Sequence, residues 1–500
     1  MKKLLPLVLL LCIGLIFVLK ESTRAQLNEE PRIPPFVSTT DLYGPCAPNG
    51  LIGINTTNGN NFICNNTWSL FNNNLVGGII GLVDTYITGD TTGNAPWFYN
   101  SSSSYYHSIS PFSYYLTNLT AVVNSLPSSP VINSTMIAVA KSVYTGTPVY
   151  GPNFLIPPGN ISAGIAFQAP HTILSNLIEQ YHPNWIYIAA PPGGSAYYNI
   201  SSVTAQISGT TSAILGNYLG VTVTTGSTVC TSFSTLVNAL NLCDAASHAS
   251  NEKLVSVPIP YTNGGTIRNL VTYMETNNGT GAGDTLSFTL DKALAANLTS
   301  FSPTNISFTV PTGSSYAPSY GDVSDTASVA QGDVITVKLV NGNSGAASGR
   351  VGSLQAELVP TGYAVSPFVF SFYNVALPAG SAIYSSAFAS YQNTNYTDLA
   401  AGMPSPIVAV NLVCYVTTAP TGQNAVMTLY KNGSPTNISV TIPTGMSVPG
   451  EVTDYYASTA HSVNFNALDT FALYYSQASS GSPTAPVLSA CSLEGASQAE

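Results

Sequence analysis

PTNISFTVPTG at residues 303–313 returns as PTNISVTIPTG at residues 435–445. Nine of the eleven positions are identical, and the other two exchange one apolar residue for another. The two stretches start 132 residues apart. Upstream, NLVTYMET (269–276) matches NLVCYVTT (411–418) at an offset of 142, and downstream Asp333 matches Asp469 at 136. Offsets that drift by a few residues are what loop insertions between equivalent strands produce. The repeat is therefore a duplicated domain of ordinary size, placed at about 251–362 and 363–500. A repeat this long makes tandem domains, not a solenoid.

Both units are β by pattern. TLSFTL sets Leu286, Phe288 and Leu290 against Ser287 and Thr289, and VITVKLV alternates Ile335, Val337 and Leu339 with Thr336 and Lys338. SLQAELV and DTFALYYS alternate in the same way. Period-two runs with one apolar face predict strands half-buried in a sandwich or barrel. Each unit runs through a strand with NLV, a strand ending near a lysine (TLDK, TLYKNG), a strand closing in PTG, a polar loop, and an Asp-led strand.

The segment TLYKNGSPTNISVTIPTG resembles a module of viral appendage proteins, in which a KNG hairpin precedes an ISVTIPAG-like strand and a later GD-x-I-x-V strand. Lys431, Asn432 and Gly433 match it in the second unit, and Gly332, Asp333, Ile335 and Val337 in the first. The first unit replaces KNG with a longer loop, and the second has LDTFAL for GD-x-I-x-V. The resemblance covers about half of the chain and is greatest to turret proteins of icosahedral archaeal viruses. It implies tandem jelly-roll sandwiches similar to tumour-necrosis-factor-like folds. It also implies a turret or spike projecting from a virion, with capsid or envelope proteins and a host receptor or glycan as partners. Jelly rolls host many roles, so the fold is implied more firmly than the function.

The N-terminus carries two lysines before an apolar run from Leu4 to Leu19. That length suits a signal peptide cut before Gln26, with Thr23 and Ala25 as small residues at the site; an uncleaved anchor with its lysines inside is the alternative. Either way the rest of the chain is expected outside the cell or on a virion surface. Residues 26–45 carry four prolines and read as a linker. Residues 46–250 show no repeat and are expected to form a mixed α/β region of one or two domains. HTILSNLIEQYHP places Ile173, Leu174, Leu177, Ile178 and Tyr181 on one helical face ahead of Pro183, and WIYIAA then reads as a buried strand. LVGGIIGLV (75–83) reads as a buried strand or short helix.

Export agrees with the cysteines. Cys46, Cys64, Cys230, Cys243, Cys414 and Cys491 are an even set of candidate disulfide partners. Proximity in sequence favours Cys46–Cys64, Cys230–Cys243 and Cys414–Cys491. Candidate N-glycosylation sites are Asn55, Asn65, Asn100, Asn118, Asn133, Asn160, Asn199, Asn278, Asn297, Asn305, Asn395 and Asn437, with Asn432 poorer because Pro435 follows.

Only 7% of residues are charged, against about 25% in a typical soluble domain. Beyond residue 25 the chain holds 8 basic and 21 acidic residues, a net charge of −13. Nucleic-acid binding is excluded on that balance. A surface built on Ser, Thr, Asn, Gln and Tyr depends little on carboxylate titration, which fits an acidic exterior as well as an ordinary glycosylated surface.

No nucleophile elbow, zincin, Walker or dinucleotide motif occurs. His171 and His182 would lie about 16 Å apart on a helix, too far to share a metal. His107, His248 and His461 carry no partner pattern. Glu179, Asp84 and Asp90 are the carboxylates a glycosidase reading would need. Asp322, Asp325 and Asp333 match no EF-hand and read as turn formers. No enzyme activity, cofactor or metal is expected. The 29 tyrosines, several in pairs, suit strands and also surfaces that contact proteins or sugars. The function expected is an exported structural glycoprotein, a homo-oligomer forming a virion appendage. The alternatives are an archaeal surface-layer or filament subunit and a secreted carbohydrate-binding protein or enzyme.

Overall fold

The computed structural model divides into two units, Met1–Leu75 and Val76–Glu500. It describes residues 35–36, 52–55, 61–65, 67–70, 76–87, 108–125, 135–141, 149–157, 161, 163–168, 178, 180, 183–189, 199–231, 233, 240–242, 252–277, 285–311, 315–342, 349–362, 364–372, 377–387, 392–455 and 461–497. In the first unit β1 (Pro35–Phe36) pairs in parallel with β2 (Ile52–Asn55). The meander continues through β3 (Asn61–Asn65) and β4 (Thr67–Leu70).

The second unit is all strand apart from two short 3-10 turns among the described residues. Its strands make three sandwiches, not two. The first holds β5 (Val76–Ile87), β6 (Ser108–Ile109), β7 (Tyr115–Ser125), β8 (Thr135–Lys141), β9 (Val149–Ile156), β10 (Ala166–Gln168), β11 (Pro183–Ala189) and β12 (Asn199–Ser208). The second holds β13 (Ala213–Val223), β14 (Thr228–Thr231), β15 (Leu240–Leu242), β16 (Val257–Pro258), β17 (Gly265–Asn277), β18 (Thr285–Leu294), β19 (Asn297–Pro311), β20 (Ser315–Val329), β21 (Val334–Asn341) and β22 (Gly349–Pro360). In the third are β23 (Ala364–Ser371), β24 (Ala382–Ser385), β25 (Gln392–Asn393), β26 (Ala401–Gly402), β27 (Ile407–Thr418) and β28 (Ala425–Lys431). It ends with β29 (Ser434–Ile442), β30 (Gly450–Asp454), β31 (Val463–Phe465), β32 (Thr470–Gln477) and β33 (Val487–Ser497).

The strand orders coincide. The inner sheets run β10-β7-β12-β5, β20-β17-β22-β13 and β30-β27-β33-β23. The outer sheets run β11-β8-β9, β21-β18-β19 and β32-β28-β29, with β6, β16 and β26 each added to the first strand of its set. This is the two-sheet, Greek-key arrangement of a jelly roll, repeated three times. The first copy lies inside residues 46–250, and β13–β15 of that stretch belong to the second sandwich. WIYIAA falls in β11, and LVGGIIGLV falls largely in β5. The helix expected around 171–181 lies mostly outside the described residues; at its centre Ile178 forms an isolated antiparallel bridge with Tyr114.

The repeated eleven-residue stretch lays down the same edge strand, β19 and β29. Thr304 and Thr436 each donate from Oγ1 to a carbonyl across the hairpin, Leu290 and Leu429, and accept the amide of Ile306 or Ile438. Ile306 and Ile438 are buried, while Asn305 and Asn437 face out. Ser307 and Ser439 donate their amides to Asp322 and Asp454 at 2.9 Å each. KNG is a tight turn with Asn432 at φ 51° and Gly433 at φ 76°, the conformation that Asn-Gly favours. The lysine that ends the preceding strand meets the aspartate that leads the later one: Lys292–Asp333 at 3.2 Å and Lys431–Asp469 at 2.8 Å.

Each sandwich has its own apolar core. The third is also stapled by the disulfide Cys414–Cys491 between facing residues of β27 and β33. Closing a loop of 77 residues contributes about 2–4 kcal/mol. Cys230 in β14 is buried and disulfide-bonded; Cys243 and Cys46 lie outside the described residues, and Cys64 lies in β3.

The three sandwiches pack head to tail. β6 of the first lies against β17 and β22 of the second, β16 of the second against β27 and β33 of the third, and β26 of the third against β7 and β12 of the first. The three leading strands β5, β13 and β23 meet one another. The rotation therefore closes, as a ring of equivalent heterologous contacts must. Gly77 and Gly78 of β5 are needed at that meeting point. A Cβ on Gly78 would stand 2.7 Å from Cα of Ala213, and the Gly78 amide donates to Ser212 O at 2.8 Å. We expect Gly78→Val to lower stability by about 1–3 kcal/mol, the cost of overpacking a fixed backbone contact. The readout is the denaturation midpoint of the purified chain; an unchanged midpoint would show that the strands do not converge there.

Candidate functional site: the seams and the outer faces

Each inner sheet carries one node, and at two of the three the neighbour in the ring supplies a hydrogen-bond partner. β7, β17 and β27 contain Asn118, Asn269 and Asn411 at φ 54°, 52° and 53°. Each is followed by a buried leucine, Leu119, Leu270 or Leu412. Asparagine tolerates the left-handed region better than other residues with a side chain, and at each site the strand pairing slips as at a bulge. The adjoining strand presents Gln206, Glu357 or Glu494, all at least 93% buried. The Asn269 and Asn411 amides donate to Glu357 and Glu494.

The next sandwich supplies further partners. Ser405 of the third donates to Gln206 of the first. Thr262 of the second donates its amide to Glu494 of the third at 3.1 Å and accepts from Asn411 at 2.6 Å. Both residues follow a proline, Pro404 and Pro260, that leads out of β26 and β16. The nodes differ in charge. Glu357 is gripped by Arg268, with Nε and Nη2 each 2.9 Å from a carboxylate oxygen. In the third sandwich Val410 stands where Arg268 does, and among the described residues no cation pairs with Glu494. Burial pushes its carboxyl up, offset in part by the bonds from Asn411 and Thr262.

The seam between the second and third sandwiches also holds a pair of acids, Glu451 and Asp333. Glu451 on β30 faces the Gly332–Asp333 turn, close enough that a Cβ on Gly332 would lie 2.9 Å from its Oε2. Its Oε1 is buried without a hydrogen-bond partner. Burial, and then the charge of Asp333, pushes Glu451 up to about 8. Nearby, Tyr415 donates to Leu298 O across the same seam at 3.1 Å.

Equivalent positions on the outer sheets carry different chemistry. In the third sandwich Tyr384, Tyr430 and Tyr474 cluster with ring centroids 4.8–5.3 Å apart, and Tyr396 packs edge-on against Tyr384 at 5.4 Å. Tyr396 Oη shares a 2.9 Å hydrogen bond with Thr470. In the second sandwich the strand registers put Cys230, Asp291 and Lys338 where Tyr384, Tyr430 and Tyr474 stand. There Lys338 Nζ is 2.9 Å from Asp291 Oδ2, and Glu252 of a 3-10 turn completes the group.

Several residues singled out in the sequence have structural roles. Asp322 accepts the amides of Ser307, Ser324 and Asp325. Asp333 accepts those of Ala295 and Ala330. Asp325 neighbours Asp322 without joining Asp333 in a cluster, and no metal-holding group of three occurs among the described residues. His461 pairs with Asp454 at 2.8 Å. His107, His171, His182, His248, Glu179 and Asp90 lie outside the described residues, and Asp84 falls in β5. Among the sequons, Asn297, Asn305, Asn395, Asn432 and Asn437 are exposed. Asn118 is half-buried in its node. Asn55, Asn65 and Asn199 lie in strands, and Asn100, Asn133, Asn160 and Asn278 are outside the described residues. The nodes and the Lys338 group were missed by sequence reasoning; the Asn-Leu pair repeated at 118, 269 and 411 was the available signal.

No family model matches the chain, and no curated protein matches it. Among solved structures it is similar to the tandem CBM22-1–CBM22-2 domain of Paenibacillus barcinonensis Xyn10C. That match has 14% identity over 48% of this chain and 82% of the other, with a TM-score of 0.16. It is also similar to Sulfolobus Turreted Icosahedral Virus, at 10% identity over 88% of each chain and a TM-score of 0.14. Both are distant β-sandwich likenesses, and neither identifies a specific family.

The seams make stability pH-dependent, with a definite sign. Folded Glu451 keeps its proton up to about 8, against a reference value of 4.5. Its contribution is complete below that reference value and is lost as pH rises through about 8. Asp469 and Asp322 act oppositely. Burial raises each, but hydrogen bonds outweigh it and hold both below 3.8, so their contribution is lost in stronger acid. Denaturation midpoints should therefore be higher near about pH 5 than near about pH 8.5, and Glu451→Gln should flatten that fall. A midpoint that rises with pH over this range would refute the assignment.

Proposed function

We propose that this chain is an exported structural glycoprotein that forms a turret- or spike-like appendage on a virion surface and carries host attachment. The observation that supports it most is the closed head-to-tail packing of three sandwiches, in which each inner-sheet node is covered by a neighbour from the same chain. That gives a stiff block held by its own seams, suited to projecting from a particle. Exposed sequons on the repeated edge strands, the disulfides and the sparse charge fit an exterior exposed to acid. The resemblance of the KNG and GD-x-I-x-V segments to viral appendage modules points the same way. In this reading the leader or anchor and the linker join the block to capsid or envelope, and its outward faces meet receptor, glycan or further copies of the chain.

The alternative is an archaeal surface-layer component or filament subunit, which the same block would also serve; a secreted carbohydrate-binding protein or enzyme ranks below both. Immunogold electron microscopy with antibody against the purified chain separates them. Label on discrete projections of released particles is the expected result. Label confined to the cell envelope or to filaments would move the assignment to the cellular alternative. Label on neither, with the chain monomeric in the medium, would overturn both.

A further inference from the structure

Three charged side chains on the outer sheet of the second sandwich are arranged as reactants. Lys338 on β21 and Asp291 on β18 are near neighbours on paired strands, with Nζ 2.9 Å from Oδ2. Asp291 is 98% buried and Lys338 is three-quarters covered. Glu252 is 96% buried and within hydrogen-bonding reach of the Asp291 carboxyl. Asp291 Oδ1 is buried and has no hydrogen-bond partner.

This differs from the other lysine–aspartate pairs. Asp333 and Asp469 accept backbone amides as well as their lysines, which stabilises the carboxylate. Among the described residues no backbone amide donates to Asp291. Instead it faces a second carboxyl, and two adjacent buried carboxyls cannot both ionise cheaply. A lysine ammonium, an aspartate and a glutamic acid in one dry site form a costly arrangement. Condensation of the first two removes both charges.

We infer that Lys338 and Asp291 become joined by an amide bond formed inside the folded sandwich, with Glu252 as the proton carrier. Protonated Glu252 gives its proton to a carboxyl oxygen of Asp291 and takes one from the Lys338 ammonium, and the freed Nζ attacks Cγ of Asp291. Nζ loses a second proton to that same oxygen, which leaves as water. The C–N bond forms, the C–O bond breaks, and Glu252 ends as it began; no oxidant or other reactant is needed. The protonated Glu252 then has an acceptor in the new amide oxygen. Burial, with the Asp291 charge beside it, pushes Glu252 up to about 7, where a group can both take and return a proton. Reactants held in contact gain the advantage of an intramolecular reaction.

The test is tryptic mass spectrometry of the full chain produced in a bacterial host, where the sequons stay unmodified. The expected product is peptide 269–292 joined to 293–350, with Lys338 uncut and a mass one water below the sum of the two. Separate linear peptides, with cleavage after Lys338, would overturn the inference. Glu252→Gln should leave the linear peptides, and Lys338→Arg, which keeps the ion pair, gives the uncrosslinked reference. Near-ultraviolet circular dichroism checks that both variants are folded. A folded Glu252→Gln chain that still carries the branched peptide would remove Glu252 from the step.

Discussion

The structure from Val76 onward depends on one constraint: a sheet face lined by polar residues has to be buried. β12 buries Ser202, Thr204 and Gln206, β22 buries Ser353, Gln355 and Glu357, and β33 buries Ser492 and Glu494. Burial without hydrogen bonds would cost about 1–3 kcal/mol per group on mutational scales. The neighbouring sandwich supplies part of what is missing. Gly402 O accepts from Thr204 at 2.6 Å, and the Gly402 amide donates to Ser202 at 3.3 Å. Thr262 reaches Glu494, and Ser405 reaches Gln206. A sandwich taken alone would expose these rows to water; in the ring they become specific contacts that apolar packing would not orient.

The period-two pattern made the core side of each strand legible. Leu286, Phe288 and Leu290 are all buried, as are Ile335, Val337 and Leu339, and the paired elevens located equivalent strands down to individual threonine hydroxyls. The same pattern misassigned the other face. Gln355 and Glu357 alternate with Leu354, Ala356 and Leu358, which reads as a solvent side, because periodicity says which residues share a face and not what covers it. The third copy escaped for a different reason. The first sandwich keeps the strand order and the left-handed asparagine but has Gln206 for glutamate and no PTNIS stretch. What remains in common is Asn-Leu and a proline after β6, too little to stand out in an asparagine-rich chain.

The copies have diverged where symmetry does not constrain them. The inner nodes tolerate Gln or Glu because each needs only a buried acceptor held by neighbouring donors. Glu357 is ion-paired with Arg268, whereas Glu494 sits among neutral donors and burial pushes its carboxyl up. On the outer faces no neighbour in the ring dictates the residues. The same three register positions hold a cysteine with an acid–lysine pair in the second sandwich and a cluster of edge-on and tilted tyrosines in the third. Function that differs between copies belongs on those faces.

Placing all three sandwiches in one chain changes what assembly has to accomplish. Three separate subunits would need identical contacts and would come apart on dilution. Linked copies meet at a high effective concentration, so each seam can be polar, sparsely charged and different from the others and still close. That freedom explains how a seam carrying Glu451 against Asp333 persists. The contact is weak when both carboxyls are ionised, but the other two seams and the chain itself hold the ring while it is. Below about pH 8 the proton on Glu451 removes the repulsion, and this seam tightens before the stronger acid in which Asp322 and Asp469 lose their contribution.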